Sequence, residues 1–279
     1  MAYKYINVTK PTEYVAHVEL NRPDKLNAFI PQLWTELGQA FMQLSKDAEV
    51  RAIVLSGAGE RAFTAGLDVV AAGEWNGEMA TLPDTARRAA HMRRHILEMQ
   101  ASLTAIEQCE KLSLSAVICV MHGVSLGLAV DLACCADVRI CSSDTRFAVK
   151  EVDIGLAADL GSLARLPKLV ANHSWAYEVS LTAREFNAAE AQAVGFVSHV
   201  QPNKAAALAC GLDMAAVIAS KSPVAVQGTK ELLHHGRDHT IAESLKYTAV
   251  WNAAAVQCDD VQSALMSGLN KTKPRFAKL

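Results

Sequence analysis

The stretch Ser115-Ala-Val-Ile-Cys-Val-Met-His-Gly-Val-Ser-Leu-Gly-Leu-Ala-Val-Asp131 decides how this chain folds. Ser115 to Met121 is a continuous apolar run, the pattern of a strand covered on both faces. His122-Gly123 ends it. Gly127 introduces a helical stretch from Ala129 to Ala136, with Asp131 in its first turn. A strand buried on both sides and followed at once by a helix belongs to a parallel sheet wrapped in helices.

The same grammar recurs on either side. Tyr14–Leu20 alternates and is rich in β formers, Ala52–Ser56 is a short buried strand, and Val138–Ser142 and Phe196–Val200 read as two more. Between them, Pro31 opens a helix with Leu33, Leu37, Phe41 and Leu44 on one face. A longer helix runs from Pro83 to about Cys109, where Met92, Ile96, Met99, Leu103 and Ile106 form an apolar stripe. Beyond Gln201 only helices follow: an Ala-rich one from Lys204 to Ile218, one capped by Ser222-Pro223, and one from Thr240 to Cys258. The expectation is an α/β core over residues 1–200 and a helical lobe over 201–279.

Composition narrows the function. With 51% hydrophobic and 20% charged residues, the chain can bury a sizeable core. A formal net charge of -2 excludes nucleic-acid binding driven by global charge. No apolar run reaches the ~18 residues of a membrane-crossing helix, and Met1–Asn7 lacks the apolar segment of a signal peptide. The cysteine count is odd and no CxxC pair occurs, so buried thiols are expected, with neither disulfides nor a metal site.

Two glycine turns are candidate anion sites: Phe63-Thr-Ala-Gly-Leu-Asp68 and His122-Gly-Val-Ser-Leu-Gly127-Leu128. A strand-to-helix junction leaves backbone N–H groups unpaired, and two that converge make an oxyanion hole. Either turn alone also reads as an ordinary connection. Three carboxylates, Asp131, Glu151 and Asp159, lie in apolar surroundings, which is costly unless each is paired or used. Asp131 alternatively complements a helix dipole, Asp159 caps the helix starting near Ser162, and Glu151 pairs with Lys150 or an arginine. Periodicity cannot bring the three together.

Asn21-Arg-Pro-x-x-x-Asn27-Ala, Phe63-Thr-Ala-Gly66-Leu-Asp68 and His122-Gly-x-x-x-Gly127 with an acid at 131 resemble the enoyl-CoA hydratase/isomerase (crotonase) superfamily over nearly the whole chain. The resemblance implies a spiral of ββα units with a C-terminal helical region that builds homotrimers or homohexamers. Val149-Lys-Glu-Val-Asp-Ile-Gly-Leu-Ala-Ala-Asp159 resembles the branch that converts 3,5-dienoyl-CoA to 2,4-dienoyl-CoA in fatty acid β-oxidation. Enoyl-CoA hydration, other acyl-CoA chemistry and a catalytically weak acyl-CoA-binding scaffold are the alternatives. By that resemblance Asp159 is the base at C2, Glu151 the acid at C6, and Asp131 tunes the pair. The Leu67 and Leu128 amides form the oxyanion hole, and Arg22, Lys25, Ala65, Gly66, Asp68 and Gly127 contact the substrate or its CoA. CoA is part of the substrate and no cofactor is expected.

Two features depart from the family pattern. Leu128 stands where a glycine is usual, raising the question of a positive φ there. The Glu110–Val117 segment is also longer than usual. Gly73–Pro83, with Trp75, Asn76 and Gly77, is expected to wall the acyl pocket. The closing Ala277-Lys278-Leu279 is a variant of the Ser-Lys-Leu peroxisomal address read by an import receptor. Peroxisome is the expected compartment, or cytoplasm for a bacterial source.

Overall fold

A computed structural model describes residues 3–71, 73, 81–108 and 115–278. It begins with an antiparallel pair, β1 (Ile6–Thr12) and β2 (Val15–Leu20). One move then repeats. A buried strand of a first sheet turns a short corner into a strand of a second sheet. β3 (Ala52–Gly57) leads to β4 (Ala62–Thr64), β5 (Ala116–Met121) to β6 (Val124–Leu126), and β7 (Val138–Ser142) to β8 (Arg146–Ala148). β9 (Phe186–Asn187) and β10 (His199–Gln201) complete the two sheets. The first sheet runs β1-β2-β3-β5-β7-β10 and the second β4-β6-β8-β9. Every pairing is parallel except β1 with β2 and β8 with β9. This stepped advance is the expected ββα spiral.

The corners explain the glycines. At Gly123 a β-carbon would lie 2.2 Å from the carbonyl oxygen of Arg61, and φ is +54°. Only glycine lets the second turn of the spiral stack this closely on the first.

The helices are α1 (Pro31–Leu44), α2 (Thr85–Gln108), α3 (Leu128–Cys135), α4 (Ser162–Leu169), α5 (His173–Thr182), α6 (Ala188–Ala193), α7 (Lys204–Ala219), α8 (Pro223–Gly236), α9 (Ile241–Ala255) and α10 (Asp259–Leu269). Strand alternation sorts the core into two layers. Ile53, Leu55, Val117, Cys119 and Met121 face α1, α2 and the wholly buried α3. Val54, Ile118, Val120 and Ile140 face Ala207, Ala215 and Ala219 of α7. Small residues let α7 lie close: a β-carbon on Gly211 would be 2.7 Å from Val120. Each large side chain buried this way contributes about 2 kcal/mol.

One expectation shifts. Strand pairing near residue 200 begins at His199 rather than Phe196. Phe196 and Val197 are spent on the core, Phe196 packing edge-on to Phe147 at 5.7 Å. α7 covers the first sheet. α8 starts as expected, with Ser222 accepting from the Ala225 amide. It is tied down by Lys230, which reaches Asp137 at 2.8 Å and donates to the Ser115 carbonyl at 3.1 Å. α9 and α10 bury no residue at all. Among the described residues no single helix is long and apolar enough to cross a membrane.

Candidate active site

The first glycine turn is strung between neighbours that consume nearly all its amides. Ala65 N donates to Leu26 O at 2.9 Å, Gly66 N to Thr64 Oγ1 at 3.1 Å, and Asp68 N to Phe29 O at 3.0 Å. The Leu67 amide between them donates to nothing among the described residues. At the second turn Gly127 N donates to Ala148 O and Val130 N to Gly127 O, both at 2.8 Å. Leu128 opens α3, so its amide has no preceding turn to pair with and is likewise free. The turns touch: a β-carbon on Gly66 would lie 3.7 Å from the Leu128 nitrogen. Two unpaired donors thus stand side by side at the N-terminus of a buried helix, a setting for negative charge.

Leu128 resolves the question its identity raised. It is absent from the residues with positive φ, and its side chain is 3% exposed within the core. The unusual backbone falls one residue earlier, on Gly127 at φ +54°. Leucine therefore supplies core packing and an open N–H at once.

The fold assembles the three carboxylates that spacing could not. Asp131, from the first turn of α3, is 1% exposed. Burial and then the charge of Glu151 push its pKa up to about 7. Its Oδ1 accepts from the Ser162 amide at 2.6 Å, so it caps α4, a helix other than its own. Glu151 starts a short 3-10 turn, Glu151–Ile154. A β-carbon on Gly127 would come within 3.3 Å of its Oε1, and its buried Oε2 has no partner. Burial, then Asp159, raises its pKa. Asp159 is the most open to solvent of the three; partial burial raises its carboxyl and His95 opposes that rise. Asp159 does not cap α4, whose N-cap is Gly161.

The remaining candidates divide. Lys25 ends a short 3-10 turn, exposed and without an ionic partner among the described residues. Arg22 meets Asp68 at 2.7 Å and donates to the Ala28 carbonyl at 2.9 Å. That pair holds the Asp68 carboxyl below its usual range and locks the loop carrying Leu67. Asn27 emerges as the strut of the site, fully buried, accepting from Arg22 N and donating to Ala58 and Ala62 carbonyls at 2.9 and 3.0 Å. Its position between two turns was the available signal. The expected pocket wall at Trp75, Asn76 and Gly77, and the Glu110–Leu114 part of the longer segment, lie outside the described residues. Among the described residues no group of His, Cys, Asp or Glu gathers to hold a metal ion. Cys119, Cys134, Cys135 and Cys141 are buried free thiols, and burial raises the pKa of each.

Comparison with known proteins agrees with this geometry. The enoyl-CoA hydratase/isomerase family profile matches residues 10–278. A rat protein named mitochondrial Δ(3,5)-Δ(2,4)-dienoyl-CoA isomerase is 43% identical, covering 99% of this chain and 84% of its own. An Arabidopsis thaliana protein of the same name, designated peroxisomal, is 39% identical over 100% of this chain and 99% of its own. A crystal structure of a putative enoyl-CoA hydratase from Streptomyces coelicolor superposes with a TM-score of 0.87 at 28% identity, covering 99% of this chain and 95% of the other. Two open amides above a carboxylate cluster, on a ββα spiral matched from end to end, place this chain in the enoyl-CoA hydratase/isomerase family.

Proposed function

We propose that this enzyme isomerises 3,5-dienoyl-CoA to 2,4-dienoyl-CoA. The observation that carries the reading is the pair of unpaired Leu67 and Leu128 amides beside three mutually coupled carboxylates. The thioester carbonyl would accept both N–H groups. Asp159 takes the C2 proton, and the electron pair of that C–H bond forms a trienolate whose charge rests on the thioester oxygen. One such donor is worth ~3 kcal/mol to the oxyanion. Glu151, whose carboxyl burial pushes above its usual range, then delivers a proton to C6 as the double bonds settle at C2 and C4. Atoms and electrons balance within the substrate; Asp159 ends protonated and Glu151 ionised, and passage of a proton from the first to the second, directly or through solvent, resets the pair, so the step needs no redox partner. Asp131 keeps negative charge scarce around Glu151 by holding its own proton near neutral pH.

Lys25 is proposed to meet a CoA phosphate. Replacing it with alanine should raise KM several-fold and leave kcat alone, the sign of binding shared by ground and transition states. The uncovered helices α9 and α10 are proposed to close a homotrimer. Delivery to the peroxisome through Ala277-Lys278-Leu279 is proposed with the activity; an N-terminally tagged chain lacking Leu279 should stay outside that organelle.

The test of the reaction is spectrophotometric. With 3,5-octadienoyl-CoA the wild-type protein should build up the absorbance of a conjugated 2,4-dienoyl thioester. Asp159→Asn should lose at least 100-fold in kcat with KM little changed. Wild-type turnover by that variant would refute the base assignment. Hydration of crotonyl-CoA with no action on the dienoyl ester would replace isomerisation by hydration.

A further inference from the structure

Gln100, on α2, has no place in the chemistry above, yet its side-chain Nε2 donates to the Asp159 carbonyl at 2.6 Å. Asp159 sits on the loop between Gly155 and the start of α4. One side of that loop meets Glu151 and Asp131. The other backs onto a cavity of about 810 Å³, whose lining includes Gln100, Thr104, Glu107, Leu160, Gly161 and Arg165. Ala158 and Leu160 pack into the core on either side of Asp159, which is itself exposed. The Gln100 hydrogen bond reaches the backbone of that outward-facing residue from a separate helix.

We infer that α2 positions the base, Gln100 bracing the backbone of Asp159 and so fixing where its carboxylate stands. Gln100 acts through Asp159 and is a positioning residue. The inference rests on the reading of Asp159 as the base.

The experiment measures kcat and KM on 3,5-octadienoyl-CoA for two variants. Gln100→Leu should lower kcat about tenfold, with KM and melting temperature near wild type, because the base is displaced while the fold stands. Asp159→Asn separates the two layers of argument: if it stays active, the base assignment fails. A wild-type kcat in Gln100→Leu, or a loss confined to KM, overturns the brace.

Discussion

Asp131 is almost wholly enclosed and still lacks a cation, so its proton is coupled to folding. Burial lifts its pKa to about 7, far above that of an aspartate in an unfolded chain. Between pH ~4 and ~7 the native chain holds a proton that the unfolded chain has released. This contribution to stability is therefore full below pH 4 and is lost as pH rises to 7. Asp131→Asn is neutral throughout and still offers an oxygen to the Ser162 amide. It should flatten the loss and be more stable than wild type at pH 7.5 by up to about 4 kcal/mol, while its isomerase rate falls. Urea unfolding at pH 4.5, 6 and 7.5 measures this, and an unchanged slope in the variant would dismiss the buried-acid account. Gly127 poses the opposite constraint. With φ at +54° and a β-carbon 3.3 Å from Glu151 Oε1, Gly127→Ala both strains the backbone and crowds the proposed acid. It should cost about 1–2 kcal/mol of stability. The loss in kcat should exceed tenfold, larger than so small a destabilisation explains; a variant that only melts earlier would assign Gly127 to folding alone.

At the scale of elements, the tie between α8 and the first sheet is ionic rather than apolar. Lys230 is 6% exposed and contacts Asp137, which also accepts from the Val117 amide at 2.7 Å and faces His234 at 3.4 Å. Lys230 holds the Asp137 carboxyl below its usual range against the effect of burial. Lys230→Met leaves that carboxylate buried and short of its main cation, and should cost about 3–5 kcal/mol. The double variant with Asp137→Leu should recover part of that loss. Strict additivity of the two in denaturant unfolding would mean they do not act as a pair. The same scale shows what the sequence could and could not reveal. β3 and β5 were legible because burial on both faces writes an all but unbroken apolar run, and β7 reads as strand despite Arg139. β4, β6, β8 and β9 span two or three residues, too short for any alternation, and exist because the corners turn the chain onto a neighbouring layer. Phe196 looked like strand because aromatic residues favour strands, but its ring was needed among Phe147 and Phe186. In the site, each carboxylate could be singled out by its apolar setting. Their convergence, and the engagement of Gln100 with Asp159, depend on α2, α3 and the 155–161 loop meeting across residues far apart in the chain.

At the scale of the whole molecule, the unresolved demand is apolar surface. Ile241, Leu245 and Val250 on α9 are 82%, 65% and 72% exposed, and Leu265 and Leu269 on α10 are 66% and 78% exposed. α9 opens on a Thr240–Glu243 capping box and α10 carries Asp259 and Asp260 in its first turn, so both are formed elements waiting on a surface. Water-exposed apolar side chains at this density signal a partner surface. Copies of one chain meet such a demand in closed symmetric rings, where each presents the same face to the next. The homotrimer or homohexamer that the family resemblance implies would meet that demand, and the face should be sensitive to charge. Leu245→Glu combined with Leu265→Glu buries two carboxylates in any such interface, at a cost of several kcal/mol per contact. Sedimentation velocity should show wild type at three or six times the chain mass and the double variant at one. Circular dichroism of that variant should keep its helical signal, since neither residue is buried within the chain. Activity discriminates further: if the candidate site is complete within one chain, the dissociated variant should retain turnover per site, and a loss without unfolding would mean the neighbouring copy contributes to the acyl pocket. A wild-type monomer at micromolar concentration would leave these two helices without the role argued for them.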